Sequence, residues 1–305
     1  MNPLIAIVGP TAIGKSQLGL RLAQAFNGEI VSADSRQVYR HMDIGTAKPS
    51  PQEQTLVPHH LVDIVSPDQD FSLALYQNLA YSAIKEIQQR NKLALLVGGS
   101  GLYVWALLEG WMIPRVTPNS ELRNSLNERA MRGETGELYQ ELVKADPVAA
   151  QKIDPRNIRR VIRALEVIKG AGYPFSKLQG KESPPFAPLI IGLTADRAEL
   201  YRRIDSRVDQ MIAQGLVEEV KKLVDMGYGF GLPAMTGIGY KQIGMFLRNE
   251  LTLETAIQQI KFETHRVARH QYSWFRLKDS RIQWFDIQGE PESEIAAQVA
   301  KFVSQ

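Results

Sequence analysis

The chain has 305 residues, of which 44% are hydrophobic and 23% charged, and a net charge of +3. That length can bury a large core, and the lack of cysteine excludes a disulfide framework and any thiolate metal site. No apolar run approaches the ~18 residues of a membrane span. The N-terminus runs straight into the first strand, which leaves no room for a cleavable leader, and a cytoplasmic location is expected.

Residues 4–8 form a short apolar run suited to a buried parallel strand. Next comes Gly9-Pro10-Thr11-Ala12-Ile13-Gly14-Lys15-Ser16, which fits the P-loop pattern at every fixed position, and then leucines and alanines at helical spacing over 16–26. Strand, glycine loop and helix together make a phosphate cradle. The glycines let backbone N–H groups point inward, the helix end and Lys15 add positive charge, and the Ser16 hydroxyl can reach Mg²⁺. The alternative is a glycine-rich turn that matches by chance.

Further strands are predicted over 29–32, 61–65 and 93–97, with a helix near 72–90. Asp34-Ser35-Arg36-Gln37 follows the second strand, on the side where strand ends face bound phosphates. Asp34 is read as a Mg²⁺ ligand, a general base, or a helix cap or turn aspartate. Gly98-Gly99-Ser100-Gly101 leads into a helix near 102–108, as a second anion nest or a purely structural turn. Strands alternating with helices predict an α/β fold, a P-loop NTPase-like parallel sheet flanked by helices.

Between residues 114 and 185 the pattern turns helical, with segments near 120–132, 134–144 and 156–169 and no good strand. It reads as a helical insertion domain, with the core made of 1–113 and 186–305. Arg156, Arg159, Arg160 and Arg163 share one face of the third segment, opposite Ile158, Val161, Ile162 and Leu165. They offer either a guanidinium surface for phosphates or a solvated face paired locally with Asp154 and Glu166. Beyond the insertion come a strand at 189–193, helices starting near 196, 217 and 239, a long helix over 252–274, a strand at 282–285 and a last helix. Arg202, Arg203 and Arg207 form a basic group from which one arginine could stabilise charge on a leaving phosphate. Trp274 and Phe275, close to Arg266, Arg269, His270 and Arg276, read as core rather than as stacking platforms.

Charge is uneven. Basic residues exceed acidic ones in 111–182 (13 against 9) and in 256–281 (6 against 2), which points to an anionic macromolecular partner. The acidic end of a hydrolase's second motif is also missing: Asp63, the closest candidate, follows a poor apolar run.

Taken together, GPTAIGKS, DSRQVYRHMDIGTAKP (34–49), HHLVDI (59–64), VGGSGLY (97–103), RRVIRALEV (159–167), RVDQMIAQGLVEEV (207–220), IGYKQ (238–242) and RHQYSWFR (269–276) resemble the tRNA dimethylallyltransferase family, in order and over nearly the whole chain. The resemblance implies transfer of a dimethylallyl group from dimethylallyl diphosphate to N6 of the adenosine 3′ of a tRNA anticodon. It implies that the P-loop, Gly9 to Ser16 with Lys15, holds the diphosphate, that Asp34 is the base, and that Ser100 sits at the diphosphate end. Arg207, with Mg²⁺, would stabilise the departing diphosphate. The tRNA contacts it implies are Asp34, Ser35, Arg36, Gln37, Ser100, Arg123, Arg156, Asn157, Ile158, Arg159 and Arg160. A monomer binding the anticodon stem-loop, with no membrane association, is expected. Ser16 and Ser100 stand where the family often has threonine, and His270 where it often has a basic residue. Three other readings remain: a small-molecule P-loop kinase, a prenyltransferase acting on free AMP, and an ATP-gated RNA-binding module.

Overall fold

A computed structural model describes residues 2–114, 119–178 and 180–304. They form two compact units, Met1–Leu108 with Pro184–Gln305, and Glu109–Ser183. The first unit opens with β1 (Pro3–Val8), α1 (Lys15–Ala25), β2 (Gly28–Ser32), α2 (Pro51–Leu56), β3 (His59–His60), α3 (Leu73–Gln89), β4 (Leu93–Val97) and α4 (Gly101–Leu108). The second contains β5 (Trp111–Met112), α5 (Ser120–Met131), α6 (Thr135–Ala145), α7 (Pro147–Lys152), α8 (Ile158–Ala171) and β6 (Gly180–Lys181). The first then resumes with β7 (Ala187–Thr194), α9 (Arg197–Ala213), α10 (Leu216–Asp225), α11 (Tyr240–Leu247), α12 (Leu253–Trp274), β8 (Ile282–Asp286) and α13 (Glu292–Val303). Among the described residues no helix is long and apolar enough to cross a membrane.

Six parallel strands lie in the order β3-β2-β4-β1-β7-β8. Side chains alternate between the two faces of a strand, so Ile5, Ile7, Leu95, Val97, Leu189 and Ile191 share one face. That face packs on Leu18 and Leu22 of α1 and on Ile295 and Val299 of α13. Each such side chain contributes about 1.5–3 kcal/mol by leaving water. Leu4, Ala6 and Val8 of β1, also fully buried, lie on the opposite face, and α3 packs against β2 and β4 through Tyr76, Ala80, Ile84 and Ile87. Burial on both faces explains why the central strands are continuously apolar.

The strand expected at 61–65 is replaced by the two-residue β3 and a loop. Leu61 and Asp63 adopt positive φ values of 64° and 56°, which end an extended strand. The segment instead backs the loop after β2: Arg40 N–H donates to the Val65 carbonyl, and the Lys48 ammonium reaches Asp63 Oδ1 at 2.5 Å. Asp63 is therefore, with Asp43, a counter-ion of a buried lysine.

In the second unit, Leu126, Leu138, Leu142, Val161 and Leu165 build a separate small core. Trp111 and Met112 pair antiparallel with Lys181 and Gly180, a two-stranded ribbon where sequence pattern alone showed no strand. Helix α8 starts at Ile158, two residues later than the arginine spacing implies, because Asp154 Oδ1 accepts the Arg156 N–H and closes a turn first.

Candidate active site

In a parallel sheet every strand ends at the same edge, so the segments after β1, β2 and β4 emerge together. They are residues 9–16, 34–37 and 98–101. Gly9 has φ +139°, and a Cβ there would lie 2.5 Å from the Leu193 carbonyl oxygen, so only glycine lets the loop pass β7. Helix α1 begins behind Gly14, which is left-handed and supplies no side-chain cap. Its first N–H groups are left for an anion, beside a cavity lined by Gly14, Lys15 and Ser16.

Two cations crowd this cradle. Lys15 Nζ donates to the Pro10 carbonyl at 2.6 Å, and Arg207 Nη1 of α9 donates to Thr11 Oγ1 at 3.3 Å. Burial, followed by the nearby Arg207 charge, lowers the Lys15 pKa to about 7, with Asp34 acting in the opposite sense. Burial also lowers the Arg207 pKa, again opposed by Asp34. Neither cation has an ion-pair partner among the described residues. The desolvated positive charge is therefore offset only in part, by the Asp34 carboxylate, and a phosphate dianion would relieve it. The other two arginines of the α9 group differ: Arg202 and Arg203 both bind Glu199, at 2.7 Å each.

Asp34 Oδ1 accepts the Arg36 N–H at 2.8 Å, a turn-closing bond of the kind an aspartate favours. Among the described residues Oδ2 has no hydrogen-bond donor, so the carboxylate retains a free oxygen. Ser100 Oγ accepts the Ser35 N–H at 3.1 Å and the Ser100 N–H donates to the Ala33 carbonyl, which ties the second glycine turn to the Asp34 segment. Ser100 thus stands beside Ser35 rather than within the P-loop cradle. Arg36 donates to the Pro233 carbonyl at 2.9 Å. Gln37 accepts from Ser32 Oγ and donates to the Ala47 carbonyl.

Two cavities of about 810 and 590 Å³ meet at a wall that includes Thr11, Asp34, Gly99, Arg207, Met211 and Gln271. The larger holds the P-loop and its cations. The smaller adds Ser35, Arg36 and Ser100 and an apolar lining from Leu102, Tyr103, Val208, Ile260 and Trp274. Phe275 is fully buried, as expected of core, whereas Trp274 also lines this cavity.

Two site residues carry no local sequence signal for their positions here. Glu219 of α10 accepts three consecutive backbone N–H groups, Asp43, Ile44 and Gly45, at 2.9, 2.7 and 3.1 Å, and the Tyr240 hydroxyl at 2.6 Å. It holds the loop whose Ala47 carbonyl receives Gln37. The second is Gln271, which lies within the RHQYSWFR motif but bonds to the opposite end of the chain.

The arginines of the second unit divide. Arg123 and Arg163 both bind Glu166, a carboxylate only 1% exposed; burial raises its pKa, but the hydrogen bonds from Arg163 and Arg123, with their charge, bring it below the ordinary value. Arg156 is held by Asp154 at 2.7 Å. Arg159 and Arg160 are exposed and make no side-chain ion pair among the described residues. Asn157 is the N-cap of α8, accepting the Arg160 N–H, and Ile158 packs on the unit's core. In the late basic stretch Arg266 pairs with Glu263 and Arg269 donates to the Tyr201 hydroxyl.

The described residues contain no group of three His, Cys, Asp or Glu side chains able to hold a metal. A hard cation at the P-loop could draw its oxygens from a phosphate ligand, water and Ser16, with Asp34 the candidate carboxylate in the same cavity, which suits the small coordination demand Mg²⁺ makes of protein.

Comparison with known proteins gives one consistent family. The model described as IPP transferase matches residues 37–278, and that described as isopentenyl transferase matches residues 2–65. A tRNA dimethylallyltransferase of Thermomicrobium roseum is 52% identical over 286 residues, covering 94% of this chain and 87% of the relative. That of Dehalococcoides mccartyi is 50% identical over 304 residues, covering 100% and 94%. Among solved structures, the tRNA isopentenylpyrophosphate transferase of Bacillus halodurans is 42% identical, with a TM-score of 0.74 and coverage of 100% and 97%. A eukaryotic dimethylallyltransferase described as acting on tRNA is 29% identical, with a TM-score of 0.81 and coverage of 94% and 74%.

Proposed function

The chain belongs to the tRNA dimethylallyltransferase family, and we propose that it transfers a dimethylallyl group from dimethylallyl diphosphate to N6 of the adenosine immediately 3′ of a tRNA anticodon. One observation carries the reading: Asp34 and Arg207 stand in the wall shared by a cationic phosphate cradle and a cavity with an apolar lining. A donor with its diphosphate on the P-loop would place its allylic carbon near that wall, and a base entering the second cavity would meet it there.

An adenine amine is a poor nucleophile because its lone pair is delocalised into the ring. The free Oδ2 of Asp34 accepts the N6 proton as the N6–C1 bond forms and the C1–O bond to diphosphate breaks. Positive charge spreads over the allyl unit while negative charge grows on the leaving oxygens. Lys15 and Arg207 are already desolvated and aligned, so they stabilise that charge most strongly in the transition state. Ser16 would hold Mg²⁺ against the diphosphate, where the ion supplies further neutralisation. The target base must leave its stack; Ser35, Arg36 and Ser100 line the second cavity and would read its edge and neighbours, with Gln37 contributing from the P-loop cavity. Arg159 and Arg160 supply free guanidinium groups for the RNA backbone and Arg123 adds one that is shared with Glu166, with Arg156, Asn157 and Ile158 shaping the start of α8. The working protein is a cytoplasmic monomer.

The test is direct. Purified protein is incubated with labelled dimethylallyl diphosphate, Mg²⁺ and unmodified tRNA, with AMP and ATP in parallel. Label should enter tRNA alone. Entry into AMP but not tRNA, or ATP-dependent phosphorylation of a small molecule, overturns the reading.

A further inference from the structure

Gln271 lies near the end of α12, and its amide spans two loops that the reaction must keep in register. Oε1 accepts the Thr11 N–H of the P-loop at 2.8 Å, and Nε2 donates to the Gly99 carbonyl of the second glycine turn at 2.9 Å. One partner is a donor and the other an acceptor, so the orientation of the amide is set by its surroundings. The fit leaves no spare room, since a Cβ on Gly99 would lie 2.3 Å from Nε2. The same helix end is braced nearby, where Trp105 Nε1 donates to the Trp274 carbonyl at 3.0 Å. Thr11 is thereby gripped twice, its N–H by Gln271 and its hydroxyl by Arg207.

We propose that Gln271 is a positioning residue that sets the separation between the diphosphate cradle and the acceptor side of the site. This rests on the transferase reading above. The links run in series: Gln271 joins Thr11 to Gly99, Ser100 follows Gly99, and Ser100 holds Ser35 beside Asp34. The strands beneath stay joined by the Gly98 N–H to the Ile7 carbonyl, so loss of the bridge frees only the tips of the two loops, and the allylic carbon and the amine are then held less accurately at bonding distance. Gln271 also consumes the Thr11 N–H, which leaves the diphosphate to the amides around Gly14 and to Lys15. Both ends of the amide are spent on these two backbone partners, which leaves the side chain no part in the bond-making itself.

The substitutions Gln271→Leu and Gln271→Glu test the bridge. Leucine removes both bonds at similar volume. Glutamate keeps the acceptor for Thr11 but sets a carboxylate oxygen against the Gly99 carbonyl. A misplacement of this kind should lower kcat about 30-fold in Gln271→Leu at saturating tRNA and donor, with tRNA Kd held within about two-fold. Inorganic diphosphate, titrated calorimetrically, should bind about ten-fold more weakly to Gln271→Leu, with Gln271→Glu at least as impaired because it adds negative charge. That binding readout does not need turnover, so it remains decisive if wild-type protein proves not to prenylate tRNA. Unchanged diphosphate affinity overturns the proposal, as does an unchanged kcat in protein that prenylates tRNA. A loss of tRNA affinity with full kcat also overturns it, by making Gln271 an RNA contact. Both variants are compared with wild type below their melting temperatures, and equal loss of diphosphate and tRNA binding would mark general damage and count against it.

Discussion

Two sets of arginines on helices look alike in sequence and behave differently in the molecule. On α9, Arg202 and Arg203 close on Glu199, while Arg207 reaches into the crevice without a carboxylate partner. Near α8, Arg156 and Arg163 close on Asp154 and Glu166, while Arg159 and Arg160 project into water. In each set local acids absorb some of the charge and leave the rest for a ligand. What separates the two remainders is desolvation. Arg207, with Lys15, is enclosed, so its charge acts strongly on one oxygen cluster. Arg159 and Arg160 stay hydrated, so their attraction is weaker, longer-ranged and screened by salt.

The enclosed group should be the costlier to damage, and the carboxylate at its edge costlier still. Asp34→Asn keeps an oxygen for the Arg36 N–H, so the turn survives while the base is lost. Turnover should fall about 10³-fold with tRNA binding retained. A rate within ten-fold of wild type would remove Asp34 from proton transfer. Arg207→Ala comes next, with kcat lower by about 10²-fold or more, whereas Arg202→Ala should stay within about two-fold because its pair with Glu199 is solvent-exposed. Equal effects at the two arginines would abolish the distinction drawn between them.

Much of this contrast was legible in the chain and some was not. The P-loop announced itself because a phosphate cradle demands glycines, a lysine and a hydroxyl at fixed short spacing. Asp34 was visible as an acidic residue just past the end of a strand in a parallel sheet. The apolar run at 61–65 misled because alternation of apolar residues cannot reveal that Lys48 recruits Asp63 and bends the chain through two left-handed residues. Residues 156–163 carried both outcomes at once, since guanidinium spacing is identical whether an acid waits nearby or not. Gln271 and Glu219 were beyond reach for a simpler reason. Their partners are backbone groups 260 and about 175 residues away, and no local pattern marks a side chain that bonds to distant peptide groups.

The enclosed set also has a pH signature that the exposed set lacks. With its pKa lowered to about 7 by burial and by the Arg207 charge, Lys15 is largely neutral at pH 8. A bound diphosphate favours the ammonium and raises that pKa, so binding at pH 8 should take up close to one proton, and at pH 6 almost none. Affinity should therefore fall as pH rises above 7, by up to about ten-fold per unit. Calorimetry in buffers of different ionisation heat measures the uptake. Lys15→Arg, charged throughout, should lose this share of it. Identical uptake in that variant would place the titrating group elsewhere.

The smallest effects belong to the exposed arginines, and they differ in kind as well as size. Replacing both Arg159 and Arg160 by alanine should leave kcat at saturating tRNA unchanged and raise the tRNA KM several-fold at low salt. Every RNA phosphate that the protein no longer neutralises lowers the slope of log affinity against log salt by roughly 0.7 to 1, so the double substitution should flatten it by about 1.4 to 2. Arg156→Ala tests the role of the local acid. Its guanidinium already neutralises Asp154, and removing it should release that carboxylate, whose pKa the pair holds down to about 2. If Arg156 contributes to RNA binding only through this turn, its removal should flatten the salt slope by less than either free arginine. A slope change at Arg156 equal to that at Arg159 would mean the ion pair opens when RNA arrives. The exposed set would then contain three ligands instead of two.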